Sequence, residues 1–301
     1  MQQSYDERNR DLLVSINGEL KHRDEAGVSP FDSVVQGGDG VWEGLRLYDG
    51  RIFRLTEHLA RLRRSATALA FTEIPSDEAI IEQIRATLAA NRMRDDVHIR
   101  LTLTRGVKIT SGMDPRLNRS GPTLIVLAEF KSPVYDDSGI SLVTSSVRRH
   151  RADSLDPKIH HNNLLTSILA KIEANVAGAD DALMLDDAGF IAETNATHVF
   201  HVSSGVVRTS TTRACPEGIT REAVLSLCAD ADIPTEVGDF STTQLYTADE
   251  AFVTGTMGGL TPVVSVDGRV IGSGAGGPIT AKLVSAYAEL TARSGTVVVS
   301  P

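Results

Sequence analysis

The 301-residue chain carries 39 acidic against 30 basic residues, a formal charge of −9, and is 41% hydrophobic. That balance argues against a nucleic-acid backbone or an anionic membrane as a general partner and points to a small molecule, while the apolar content suffices for two ordinary cores. The two cysteines, Cys215 and Cys228, form no C-x-x-C pair, so neither a disulfide framework nor a zinc site is expected.

The opening "MQQSYDERNRDLLVSING" is charged where a secretory leader needs an apolar run, and no apolar run is long enough to span a bilayer; a cytoplasmic protein is expected. In "LLVSINGEL" the pair Asn17-Gly18 signals a hairpin, and "VWEGLRLYDGRIFRL" repeats the signal with Asp49-Gly50. Thr56 is placed to cap a helix whose Leu59, Leu62, Ala66 and Leu69 follow helical spacing, and Ser76 to cap a second carrying Ile80, Ile81, Ile84 and Leu88. Strands "VHIRLTLTR" and "PTLIVLAEF" complete a first domain, expected over residues 1–130. The segment "KSPVYDDSG", residues 131–139, mixes proline, charge and small polar residues and reads as an interdomain linker. Residues 140–301 then give a strand ("ISLVTSSV"), a helix ("NLLTSILAKIEANVA"), paired strands around Asp187 to Gly189 and a helix ("TREAVLSLCADA"). A strand ("EAFVTGT"), a hairpin at Asp267-Gly268 and a last helix from Pro278 follow. The layout is α+β, without internal repeats.

Several familiar chemistries lack their residues. There is no G-x-G-x-x-G after a strand, no G-x-x-x-x-G-K-[ST], no G-x-S-x-G elbow and no H-E-x-x-H among the eight histidines. His160 and His161 are adjacent and cannot both point into one pocket from an extended backbone, so no metal is expected. "CPEGITREAV" puts Gly218, Ile219 and Thr220 at a helix start, where backbone N–H groups and the positive dipole end suit a phosphate as well as an ordinary cap. "VTGTMGGLTP" adds a small-residue loop in which Thr256 can donate from hydroxyl and backbone, or simply turn the chain.

Seven stretches occur in an order that resembles the class IV aminotransferases, the pyridoxal-phosphate (PLP) enzymes of fold type IV. They are "GDGVWEGLRLYDGRIFRLTEHLARL", "VHIRLTLTRG", "DPKIHHNNLLTSILAKIEA", "GADDALMLDDAGFIAETNATHVF", "CPEGITREAV", "EAFVTGTMGGLTPV" and "VDGRVIGSGAGGPIT", and the likeness runs from about Val14 to Leu290. The resemblance implies a small N-terminal α/β domain, a larger C-terminal mixed α/β domain (a pseudo-barrel), PLP in the cleft between them, and a homodimer. By the same resemblance Lys158 forms the Schiff base with PLP. A primary amine can condense with the aldehyde, give way to the substrate amine and then carry a proton, which an arginine cannot do at neutral pH. Glu193 matches the acid that keeps the pyridine nitrogen protonated. The phosphate falls to Arg61 of "EHLARL", to the Ile219 and Thr220 donors and to Thr256.

On the substrate side the resemblance places Trp42, the only tryptophan, together with His98, Arg100 and Met257; Arg105 and Lys108 are alternative partners for a carboxylate. Branched-chain relatives carry a tyrosine near the cofactor hydroxyl, whereas "KIHHNNLL" has none, which leaves the O3′ contact among His161, Asn162 and Asn163. "GDGVWEGLR" is similar to branched-chain and D-amino-acid members at once and so does not choose the hand of the substrate. The expected activity is amino transfer between an amino acid or primary amine and a 2-keto acid. The alternatives are a β-eliminating lyase of the aminodeoxychorismate type, releasing pyruvate, and a PLP-binding protein with little turnover.

Overall fold

The computed structural model describes residues 4–135 and 138–300, so Asp136 and Asp137 of the expected linker lie outside the described residues, as do the first three residues and Pro301. The chain forms two compact units. One holds the chain up to Ser132, Ile159–Asn163 and the stretch from Thr291 onward; the other holds Pro133–Lys158 and Leu164–Leu290.

In the first unit β1 (Leu13–Ile16) and β2 (Glu19–His22) make the expected hairpin, with Asn17 and Gly18 at φ 52° and 85°. After α1 (Ser33–Gly37), β3 (Gly40–Tyr48) and β4 (Arg51–Ile52) turn through Asp49 and Gly50, again at positive φ. α2 (Leu55–Ala68) corrects the sequence reading: the chain leaves the short β4 through a left-handed Arg54 and is helical from Leu55. Thr56 therefore lies inside the first turn, and no side chain caps the helix. α3 (Asp77–Ala90) starts as expected, with the Ser76 hydroxyl accepting from the Ala79 N–H at 3.2 Å. β5 (Val97–Thr104) and β6 (Thr123–Phe130) complete a seven-stranded sheet in the order Thr296–Val297, β4, β3, β5, β6, β1, β2. Strand side chains alternate between faces, so Val41, Leu45 and Leu47 of β3 and Val97, Ile99, Leu101 and Leu103 of β5 join α2 and α3 in one buried core. Trp42, Gly44, Arg46, His98 and Arg100 fall on the other face.

The second unit opens with β7 (Ile140–Thr144), then α4 (Leu165–Ala177) and β8 (Asp181–Leu185), parallel to β7. Parallel neighbours need a long crossover, and Lys158 sits in it, ahead of α4. β9 (Ile191–Thr194) returns antiparallel after the turn expected near Asp187. β10 (His198–Ser203) and β11 (Val206–Ser210) form a hairpin through Ser204 and Gly205 that the sequence reading passed over. α5 (Ile219–Asp230), β12 (Thr235–Gly238) and α6 (Thr242–Tyr246) lead to β13 (Glu250–Gly255), β14 (Gly259–Val266), β15 (Arg269–Val270) and α7 (Pro278–Arg293). The nine-stranded sheet runs β12, β11, β10, β13, β14, β7, β8, β9, with β15 added to β14. Phe200 and Phe252, fully buried on adjacent strands, stack with ring centres 4.9 Å apart. Among the described residues no helix is long and apolar enough to cross a membrane.

The start of α7 is held by a carboxylate from β13. Glu250 is buried and accepts the Ile279 and Thr280 N–H groups at 3.1 and 2.7 Å, where the helix dipole favours negative charge. Gly277 is required for this approach, because a Cβ there would lie 2.2 Å from the Glu250 carboxyl carbon. Glu250→Gln keeps the size but turns two charge-assisted bonds into at best one ordinary one. Urea denaturation should show a loss of about 2 kcal/mol, the scale of hydrogen bonds to a charged group; an unchanged midpoint would dismiss the carboxylate as the cap.

Candidate active site

In the first unit, β3 and β5 pair with Gly44 opposite Arg100 and Arg46 opposite His98. A Cβ on Gly44 would sit 3.3 Å from His98 Nε2 and 3.4 Å from the Trp42 ring, so glycine lets these rings close in. The Arg100 guanidinium lies 3.4 Å from the centre of the Trp42 ring and donates to Asn162 Oδ1 at 3.2 Å. Burial lowers Arg100 to about 10, which leaves it cationic at neutral pH. His98 is pushed down to about 3, first by burial and then by Lys131, Arg100 and Arg46, so its ring is neutral.

The five residues that follow Lys158 are fastened to β3. Asn162 donates its N–H to Gly40 O at 2.9 Å, and Trp42 N–H donates to His160 O at 3.0 Å. The Trp42 indole donates to His161 O at 3.0 Å, and His160 stacks on the Trp42 ring at 4.3 Å with Nδ1 2.6 Å from Trp42 O. Asn163 Nδ2 donates to Gly38 O, and its N–H to His161 Nδ1. Arg61, on α2, pairs side-on with the fully buried Glu43: Nε to Oε1 at 2.9 Å and Nη2 to Oε2 at 2.7 Å. The two alternative carboxylate partners are engaged locally. Arg105 forms a two-point pair with Asp39 and donates to Leu69 O and Ala70 O; Lys108 donates to Gly112 O.

In the second unit, Lys158 is exposed, with its backbone N–H on the Asp156 carboxylate at 2.9 Å. Glu193 is buried on β9; Oε1 takes Arg149 Nη2 at 2.7 Å and Oε2 lies 3.9 Å from His198 Nδ1. His198 opens β10 across from Thr254 of β13, whose hydroxyl is buried with no hydrogen-bond partner. Its other nitrogen abuts Gly218, where a Cβ would lie 2.2 Å from Nε2. Gly218 is also the N-cap of α5 and offers no side chain, so the Ile219 and Thr220 end of that helix carries only backbone donors and the Thr220 hydroxyl. Thr256 and Met257 are half-buried in the turn between β13 and β14. The buried Cys215 thiol is pushed up by burial and then by Glu193, with the neighbouring Arg149 and Arg221 acting against them.

Sequence reading missed Arg149, His198, Glu43 and His58. Glu43 was the most legible, as a carboxylate at an inward position of an otherwise apolar strand row. Glu193, His198 and Cys215 bring three possible metal ligands within 4.8 Å of one another, but the Arg149 guanidinium already balances Glu193 and would repel a cation.

The family model for amino-transferase class IV matches residues 40–266, and the chain belongs to that family. It is 55% identical over 288 residues to the branched-chain-amino-acid aminotransferase-like protein 2 of Arabidopsis thaliana, covering 95% of this chain and 52% of that one. The chain thus spans about half the length of that relative. A putative branched-chain-amino-acid aminotransferase of Methanocaldococcus jannaschii is 40% identical over 285 residues, 94% of this chain and 98% of the other. The branched-chain amino acid aminotransferase of Thermobaculum terrenum, solved in its PLP form, superposes with a TM-score of 0.84 at 27% identity, over 94% of this chain and 95% of that one. The fold is therefore fold type IV, as the resemblance implied.

The burial of His98 has a measurable sign. A histidine of ordinary pKa near 6.5 when unfolded and about 3 when folded takes up its proton first in the unfolded chain, so stability present above pH 6.5 declines as pH falls toward 3. His201, lowered to about 4, adds to the decline over the upper part of that window. NMR titration of the His98 ring should show no protonation between pH 8 and about 5; a midpoint near 6.5 would mean that the ring is solvated.

Proposed function

We propose that this chain is a PLP-dependent aminotransferase, moving an amino group between an amino acid and a 2-keto acid, with branched-chain amino acids the donors that its relatives' names favour. The carrying observation is Lys158, an exposed primary amine held ahead of α4 with its backbone N–H on the Asp156 carboxylate, in a chain that also buries Glu193 against Arg149. The residues present fit the cofactor: a helix start without a side-chain cap, an unpartnered buried hydroxyl on Thr254 and an arginine-paired acid. When bound, PLP supplies an aldehyde to receive the amino group and a ring that stabilises the electron pair left by the departing proton.

Lys158 would hold the cofactor through its amine and, when that amine is free, would carry the proton at the substrate carbon. Glu193, kept in place by Arg149, would keep the pyridine nitrogen protonated. In the second unit the Ile219 and Thr220 N–H groups and Thr256 would take the phosphate, and in the first unit Arg61 is the arginine that the family resemblance assigns to it. Arg100, over the Trp42 ring with the neutral His98 on the same face, would receive a substrate carboxylate, and Met257 of the second unit is the further substrate-side residue that the family resemblance assigns.

We further propose a cytoplasmic homodimer. The exposed apolar row Leu165, Ile168, Leu169, Ile172 and Val176 along one face of α4, with Val176 85% and Leu165 72% exposed, supports it, because such a stripe on a helix ordinarily faces a partner. Ile168→Asp combined with Ile172→Asp should shift the protein to monomer in light scattering at micromolar concentration, whereas an unchanged mass would place any dimer contact elsewhere.

A panel of amino donors in both hands, with 2-oxo acids as acceptors and the cofactor's absorbance as readout, tests the activity. Conversion that depends on the acceptor supports amino transfer; pyruvate release without an acceptor would replace it with the lyase, and no spectral change with any donor would leave a binder. Lys158→Ala should retain phosphate-anchored cofactor and lose turnover, and borohydride reduction of the native protein should fix the cofactor to Lys158. An adduct mapped to Lys171 would overturn the assignment.

A further inference from the structure

Among Val41, Glu43, Leu45 and Leu47, the β3 residues packed toward α2, Glu43 is the one that does not belong to an apolar core. It is 0% exposed, and taking a carboxylate that far from water costs several kcal/mol before any partner is counted. Pairing offsets this cost here. Arg61 meets both oxygens side-on, His58 Nδ1 adds 2.7 Å to Oε2, and His160 Nδ1 stands 3.5 Å from Oε1. Burial works against the ionised form, but the Arg61 guanidinium outweighs it and holds Glu43 well below the usual carboxylate range. A buried ion pair of this kind is seldom kept for stability, since an apolar pair of similar volume serves a core as well or better.

What the geometry fixes is direction. A side-on pair through Nε and Nη2 sets the plane of the guanidinium and removes its freedom to turn about the last side-chain bonds. The carboxylate also cancels part of the arginine's field, so its contribution to anion binding is orientation and not attraction. On the reading that Arg61 serves the cofactor phosphate, we propose that Glu43 is a positioning residue that aims the Arg61 guanidinium at a phosphate monoester, with His58 and His160 holding the carboxylate in place. His160, two residues beyond Lys158, thereby joins the lysine's own segment to the phosphate anchor.

The test compares two ligands that differ only in the phosphate. Full-length protein freed of cofactor is titrated with PLP and with pyridoxal, for the native chain and for Arg61→Ala, Glu43→Gln and Glu43→Asp. Glu43→Gln should lower the ratio of PLP to pyridoxal affinity about tenfold or more, through PLP alone, and should add nothing further in the Arg61→Ala background. Glu43→Asp, which keeps the charge but withdraws the oxygens, should do the same in a chain that retains its ion pair in part. If Glu43→Gln does not fold, Glu43→Asp and His58→Gln carry the same comparison. Equal loss of both ligands would reduce Glu43 to a structural role and overturn the proposal. If Arg61→Ala lowers the ratio while the Glu43 variants leave it unchanged, the positioning role falls and the phosphate reading stands; if Arg61→Ala leaves it unchanged too, both fall.

Discussion

A carboxylate withdrawn from water must be met by donors from several directions, and Glu43 imposes that demand on the first unit. It lies on β3, its donors come from α2 (His58 and Arg61), and His160 of the segment after Lys158 stands 3.5 Å away. Helix, strand and segment are thereby held to one another by directional bonds as well as by packing. Removing one partner would leave charge buried and unmatched, a larger penalty than losing a methyl group from the same core. The same logic recurs in the second unit, where Arg149 meets the buried Glu193.

Period-two alternation then divides labour across the sheet. Odd positions of β3 and β5 build the core under α2 and α3, while the even positions assemble Trp42, His98 and Arg100 on the opposite face. Strand register places the aromatic ring, the neutral imidazole and the guanidinium on one face, and the segment after Lys158 then bonds Trp42 and Arg100; register slips only in steps that would expose the core. Gly44 supplies the room. A larger residue there would push on both rings at once.

Local chemistry was the legible part of the sequence. Asn17-Gly18, Asp49-Gly50 and Asp267-Gly268 turn the chain where such pairs accept positive φ, and Ser76 caps α3 because its hydroxyl reaches the N–H three residues on. Thr56 failed as a cap because Arg54, two residues earlier, adopts a left-handed conformation that starts the helix at Leu55 and that the side-chain pattern does not announce. The β10–β11 hairpin was passed over although Ser204-Gly205 signalled it, and Thr296–Val297 is too short to carry a period. For the site, Lys158 and Glu193 stand in runs distinctive enough to single out. Arg149 sits in "VRRHR" among other cations, and His198 matters through its approach to Gly218; both depend on contacts that only the folded chain creates.

The two thiols illustrate how burial alters reactivity without any dedicated device. Both cysteines are buried and unpaired, and burial pushes Cys228 up to about 11 and Cys215 higher still. At neutral pH Cys228 is then ionised in about one molecule in ten thousand, and it is the thiolate that attacks oxidants and alkylating reagents. Both sulfurs therefore stay chemically silent while the chain is folded and become reactive when the second unit opens. The sulfur chemistry of this protein is a built-in indicator of whether that unit is intact.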